Sequence, residues 1–189
     1  LRSSTMRTTW RRVVKTEPPI FLLTVILSFT CLTDNLFGYS ESDLQKLLSM
    51  KECVGCDLSG ADLSEADLSE ASLVKANLTG ANLTSATLST ANLSYVDLRY
   101  ANLDSANFRR AILTGSDLRN CDLSNTDLRD SNLVDSNLAD TDLTSADLFG
   151  ANLTRVNLWQ ADMSAAIVSS KTIYCNTVMS DGLENNSHC

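Results

Sequence analysis

From Cys56 to Ala165 the chain repeats one five-residue phrase, A-(D/N)-L-x-x, about 22 times without insertion or deletion. The third position is Leu throughout, except for Phe108 and Met163. Two residues earlier stands a small residue: usually Ala, otherwise Ser, Thr, Cys56, Cys121, Val96 or Val156. Between them is nearly always Asp or Asn. A period of five fits neither a helix, with 3.6 residues per turn, nor a plain strand, with two. A helix would carry the Leu positions around its whole circumference, because five residues advance it by about 140°. Asp, Asn, Ser and Thr also compete with helical hydrogen bonding. In locally extended geometry Ala and Leu share one side while Asp points to the other. The last two residues of each phrase, often Ser, Thr, Gly or Asn, then turn a corner. Repetition of side and corner gives a coil with a Leu and Ala interior and a polar exterior.

This run resembles the pentapeptide-repeat family and covers about 60% of the chain. The resemblance implies an all-β solenoid, a right-handed quadrilateral β-helix with four repeats per coil. About five and a half coils at about 4.8 Å spacing would make a rod roughly 26 Å long. Weaker phrases at Ala166-Ile167-Val168, Lys171-Thr172-Ile173 and Asn176-Thr177-Val178 extend it towards a sixth coil. Each buried Leu is worth about 2 kcal/mol.

Open coil ends expose strand edges and apolar side chains, so both need caps. Ser42-Asp43-Leu44-Gln45 reads as a capping box with Ser42 at the N-cap, and Leu44, Leu47 and Leu48 fall on one helical stripe. A short capping helix over residues 42–51 is expected, within a junction segment 41–55 that holds Cys53-Val54-Gly55-Cys56. Residues 56–165 are the β-helix. Residues 166–189 form a degenerate last coil and a tail, in which Asp181-Gly182 signals a turn. The tail resembles the closing segment of secreted cyanobacterial members of the family, where two cysteines bracket the end; here they are Cys175 and Cys189.

The first forty residues are different. Arg7, Arg11, Arg12 and Lys15 precede an apolar run over residues 20–32, followed by polar Thr33-Asp34-Asn35. That run is short for a membrane span, and Gly38-Tyr39-Ser40 offers small residues for a signal peptidase. Residues 1–40 read as a cleaved secretory signal, alternatively as an N-terminal membrane anchor. An exported protein, in a periplasm or thylakoid lumen, is the expected localisation.

Charge divides at the same boundary. Residues 1–40 carry five basic and two acidic groups, and residues 41–189 carry ten and 21, which accounts for the net charge of −8. So acidic a domain is not expected to bind nucleic acid through phosphate neutralisation. Among the cysteines, Cys53 and Cys56 leave three readings open: a structural bridge, free thiols, or metal or redox chemistry. The last lacks support, because no βαβ pattern accompanies the pair, no second cysteine pair completes a zinc site, and the single histidine is His188. Cys121 stands in an inward small position as a substitute for Ala. Cys175 and Cys189 enclose a segment without a core of its own, so a disulfide is expected where the compartment is oxidising.

No catalytic, cofactor-binding or metal-binding residue is assigned. One histidine near the end of the chain does not supply the Ser–His or Cys–His pairing of nucleophilic catalysis, and no Gly-rich phosphate loop follows a strand. Stacking by twenty residues aligns Asp122, Asp142 and Asp162 into an acidic ladder, whose simplest role is local bonding to the backbone. It also aligns Arg99 with Arg119 and Arg109 with Arg129, and sets Arg110 against Asp130 and Asp135 against Arg155. Trp159 and Phe149, with Arg99 and Arg119, form a candidate partner patch beside Tyr95 and Tyr100. The expected function is a non-enzymatic exported scaffold that binds an as yet unidentified protein, with membrane contact only through a retained N-terminal segment. The resemblance also implies an alternative, a DNA-mimicking topoisomerase-binding protein of the quinolone-resistance type.

Overall fold

The computed structural model describes residues 38–189, which lie within one compact unit. The signal or anchor reading of residues 1–40, including the apolar run 20–32, lies outside the described residues save for Gly38, Tyr39 and Ser40. Among the described residues no helix is long and apolar enough to cross a membrane.

A single repeat accounts for all five of its backbone N–H groups. In the phrase starting at Cys56, Leu58 N–H donates to the Asn77 carbonyl of the next coil, 2.8 Å away, and Gly60 N–H donates to Thr79 at 2.9 Å. Ala61 N–H closes the corner on the Leu58 carbonyl at 3.0 Å. One coil later, Asn77 N–H reaches back to the Cys56 carbonyl at 2.8 Å. The remaining donor, the first corner residue, is taken by the side chain of the Asp or Asn two positions earlier: Thr79 N–H donates to Asn77 Oδ1 at 3.1 Å. Backbone groups seek partners, so the polar second position of the phrase serves the corner, although Ile112 holds that position in a repeat that still bridges in register.

The bridges are parallel and join each side to the one twenty residues on, as in Asp57 with Asn77 and Asp117 with Asn137. Twenty residues are four phrases, so each coil has four sides. Only one residue per side bridges, since the two corner residues turn away; the sides are isolated bridges and not continuous strands. The only two-residue strands among the described residues are β1 (Thr177–Val178), in the last coil, and β2 (Glu184–Asn185), paired antiparallel with it. The second corner residue has positive φ in every clean repeat, as at Glu65 (58°), Thr90 (59°) and Arg110 (58°), the pattern of a type II turn. Few of these residues are Gly, so the stacked coils hold ordinary side chains in a region they seldom adopt alone.

The interior is a stack of Leu with Phe108, lined by the small residues, and between Leu58 and Leu158 all of these side chains except partly buried Ala66 are essentially inaccessible. Helix α1 (Glu41–Met50) covers the first coil through Leu44 and Leu47. Its N-cap is Ser40, whose hydroxyl accepts from Asp43 N–H at 3.3 Å, and not Ser42. Gln45 correspondingly donates to the Glu41 carboxylate at 3.1 Å in place of a capping box. The helix ends at Met50, one residue earlier than the sequence pattern implies, with Lys51 as its left-handed C-cap. The first bridge, Glu52 with Ser72, places Cys53 in a Leu slot, so coiling begins one phrase before Cys56.

At the far end the register slips by one. Asp147 still pairs with Ile167, but Asn152 pairs with Ile173 and Asn157 with Val178, twenty-one residues on. The inserted residue moves Thr172 and Thr177, both fully buried, into the small slots and Tyr174 into a Leu slot. The phrases Lys171-Thr172-Ile173 and Asn176-Thr177-Val178 are therefore each read one residue too early from sequence. Ala166-Ile167-Val168 is in register. Cys175 and Cys189 are bonded, closing a separation of 14 residues, which contributes about 3 kcal/mol on a chain-entropy estimate.

Candidate functional site

The arginines follow from the same phrase. Where the first corner residue is Arg and the residue two positions earlier is Asp, as at Arg99, Arg119 and Arg129 but not at Arg109 after Asn107, a bidentate pair forms within one repeat. Arg99 Nε and Nη2 donate to Asp97 at 2.9 and 2.7 Å, and Arg119 to Asp117 at 2.8 and 2.6 Å. Arg129 grips Asp127 in the same way. Arg99 Nε also lies 3.7 Å from Asp117 and Arg129 Nε 3.6 Å from Asp147, so each guanidinium separates two stacked carboxylates. The hydrogen bonds from Arg99, Arg119 and Arg129 are the largest influence holding Asp97, Asp117 and Asp127 below the usual carboxylate range, against the opposing effect of partial burial. Arg155 bridges coils to Asp135, with Nη2 at 2.7 Å. Arg110 and Asp130 form no salt bridge, although Asp135 and Arg155, with the same left-handed backbone one coil apart, do.

Trp159, Arg99 and Arg119 share one corner column, with Tyr100 beside both guanidinium groups. Ala139, between Arg119 and Trp159 in that column, is only 5% exposed. Trp159 also packs by Gly182: a Cβ there would sit 3.7 Å from the indole Cδ1, at a φ of +82° that favours glycine. Phe149 does not join this group. It belongs to the column of Arg109 and Arg129, two sides away around the coil, and Lys171 lies over its ring at 5.3 Å. The four residues of the candidate patch thus divide between opposite corners. Tyr95 and Tyr100, 60% and 63% exposed, flank the Arg99 side, with the Tyr95 ring leaning over Gly115 where any side chain would collide with it.

Cys53 and Cys56 are bonded across the first corner, with both sulfurs buried. Helix α1 brings Asp43 to them, so three groups of metal-ligating type lie within 4.8 Å of one another. The sulfurs are spent on each other, and the Asp43 carboxylate accepts from Asp57 N–H at 2.9 Å. Asp43 had no signal in sequence, since its approach depends on how the helix folds back. Cys121 is a free buried thiol whose pKa burial pushes up to about 12, leaving it without thiolate character.

Counting the side of Asp57 as the first, the acidic column of the second side is built by the bridges Asn102–Asp122, Asp122–Asp142 and Asp142–Asp162. Each carboxylate serves the backbone: Asp122 accepts from Ser124 N–H at 3.0 Å, Asp142 from Thr144 at 2.8 Å, and Asp162 from Ser164 at 2.9 Å. The phrases of this side, from Asp62 and Glu65 through Asp104 to Asp162, include no Lys or Arg.

A family model described as pentapeptide repeats, in eight copies, matches residues 52–89, 91–130 and 131–169, more than half of the chain. Among solved structures, the chain is similar to HetL, a pentapeptide repeat protein involved in heterocyst differentiation regulation in the cyanobacterium Nostoc. The identity is 29% over 71% of this chain and 74% of that one, with a TM-score of 0.32. Another Nostoc pentapeptide repeat protein is 30% identical over 55% and 84%, with a TM-score of 0.47. A pentapeptide repeat protein of the Arabidopsis thaliana thylakoid lumen is 25% identical over 58% and 70%, with a TM-score of 0.32. Comparison with curated proteins finds no match.

Proposed function

This chain belongs to the pentapeptide-repeat family, and on that premise we propose that it is a non-enzymatic interaction scaffold, exported to an oxidising compartment such as a periplasm or thylakoid lumen. By family its coil is a right-handed quadrilateral β-helix. One observation carries the reading: the polar side chains that chemistry would need are committed to holding the coil. Asp and Asn satisfy corner N–H groups, and the arginines are locked bidentate on Asp97, Asp117 and Asp127. What is left outward is a set of fixed, flat sides. The side bearing Arg99 and Arg119 between Tyr95 and Tyr100 has the Tyr and Arg composition of interface centres. The pairs Cys53–Cys56 and Cys175–Cys189 suit an oxidising compartment. Fractionation of the tagged full chain tests the compartment, and a cytoplasmic location overturns export. Pull-down from the exported fraction with wild type, Tyr100→Ala and Arg119→Glu tests the face. Retention of every partner by both variants shows that face to be ordinary surface.

The acidic second side favours a second reading, imitation of the charge of duplex DNA towards a topoisomerase. Against it, the arginines neutralise the acids of the first and third sides. Inhibition of gyrase by the purified chain at low concentration would establish this reading and displace the first.

A further inference from the structure

The two disulfides occupy opposite environments. Cys53 and Cys56 are 0% and 4% exposed inside the first corner. Cys189 is exposed and Cys175 half-buried at the far end. The bond between them holds a segment that has little else to hold it: of residues 180–189, every one but Asn185 is exposed. This segment returns along the outer edge of the last coil. There Met179 N–H donates to the Leu183 carbonyl at 2.8 Å, Asn176 N–H to Asn186 Oδ1 at 2.7 Å, and Tyr174 N–H to His188 Nδ1 at 3.3 Å. The chain beneath is tied down independently: Leu153 N–H donates to Ile173, Arg155 to Cys175 and Leu158 to Val178, at 2.8 to 2.9 Å.

We propose that Cys175–Cys189 is a thiol-operated latch: its reduction by a dithiol releases residues 183–189 and opens the edge of the last coil, while the coil itself stays folded. A thiolate of the dithiol attacks the exposed Cys189 sulfur, breaking the S–S bond, and Cys175 leaves as a thiolate that takes up a proton. The Asn176 side-chain amide, 3.8 Å from the Cys175 sulfur, is placed to donate to that leaving thiolate. The second thiol of the reductant attacks the mixed disulfide, forming the reductant's own disulfide and freeing Cys189 as a thiol; two protein thiols replace one disulfide, and one dithiol is oxidised. Release leaves the N–H groups of Tyr174, Asn176 and Met179 unpaired beside buried Tyr174 and half-buried Met179. That is an open strand edge, and it adjoins Ile167 and Val168, already 53% and 48% exposed. Such an edge accepts an extended segment of another chain. The Cys53–Cys56 pair, enclosed beneath helix α1, is the built-in control.

The test uses the full chain with both disulfides formed, treated with dithiothreitol at neutral pH, with thiols trapped by alkylation and amide exchange followed by mass spectrometry. Cys175 and Cys189 should become alkylated at least about tenfold faster than Cys53 and Cys56. The amides of Tyr174, Asn176 and Met179 should exchange at least about tenfold faster once the bond is cut, with those of Leu153 and Leu158 unchanged. Cys189→Ser should show the same exchange pattern without reductant. Equal reduction of both pairs, unchanged exchange in the reduced protein or in Cys189→Ser, or simultaneous loss of protection at Leu153 and Leu158 each overturns the latch.

Discussion

The small inward slot changes character partway along the coil. From Ala61 to Ala111 it is Ala or Val; the next six slots are Ser116, Cys121, Thr126, Ser131, Ser136 and Thr141; from Ala146 to Ala166 it is apolar again, before Thr172 and Thr177 close the last coil. All six are as buried as the alanines, at 1–3% exposure. Burying a hydroxyl unpaired is costly, yet the coil shows no change of path there. The reason is the Leu carbonyl three residues back, which already accepts the corner N–H and has a second lone pair. Ser116, Thr126, Ser131 and Thr141 donate to it at 2.6 to 2.7 Å. Cys121 reaches a coil lower, to the Leu98 carbonyl at 2.8 Å. The slot therefore selects for size, and polarity is absorbed locally. Ser136 is the exception, with a buried hydroxyl that finds no partner.

The comparison can be broken most decisively at Leu. If both halves are equally dry, Leu78→Asp and Leu118→Asp should each cost several kcal/mol and abolish cooperative melting, because an unpaired charge enters a sealed stack. A cooperative transition retained by Leu118→Asp alone would mean that the hydroxyl band admits water.

Acid separates exterior from interior, since the hydroxyls do not titrate and the carboxylate columns do. The depressed folded-state pKa values of Asp97, Asp117 and Asp127 mean stability that is fully present above the ordinary aspartate range, near 4, and lost as pH falls through the lower folded values. Tm should fall on acidification below about 4, and less steeply in Arg99→Gln and Arg129→Gln, whose partners no longer have depressed values to lose. An unchanged Tm profile in these variants would show the pairs to be energetically idle.

Smaller effects sharpen the hydroxyl half. Ser131→Ala removes a satisfied bond and should cost about 1 kcal/mol, whereas Ser136→Ala removes the orphan and should gain about 1 kcal/mol. Denaturant midpoints that move in the same direction for both would reject size selection with local satisfaction. In the alanine half, Ala91→Ser should be within about 1 kcal/mol of wild type, because the Leu88 carbonyl is available to it. Outside, Ser124→Asp would face Asp104 and Asp122, to which Ser124 now donates at 3.1 and 2.6 Å, and should cost about 1 kcal/mol; Arg155→Ala, an exposed pair, should cost less than that.

The sequence by itself determined the coil: a period of five, Leu and a small residue two apart, and an acceptor between them two positions ahead of a corner. Those bonds span two or three residues, so any one phrase carries them. It also showed that Cys175 and Cys189 enclose a segment without a core. The tertiary structure alone decided what depends on residues from different coils or ends. One inserted residue after Ile167 shifted Thr172, Tyr174 and Thr177 into slots the phrase does not announce. The fold of helix α1 put Ser40 at its cap and Asp43 against Cys53 and Cys56, whereas the place of Phe149 opposite Trp159 already followed from the four-repeat coil that the family resemblance implied. The division has one cause: hydrogen bonds within a phrase are fixed by covalent neighbours, whereas contacts between coils depend on every residue counted between them.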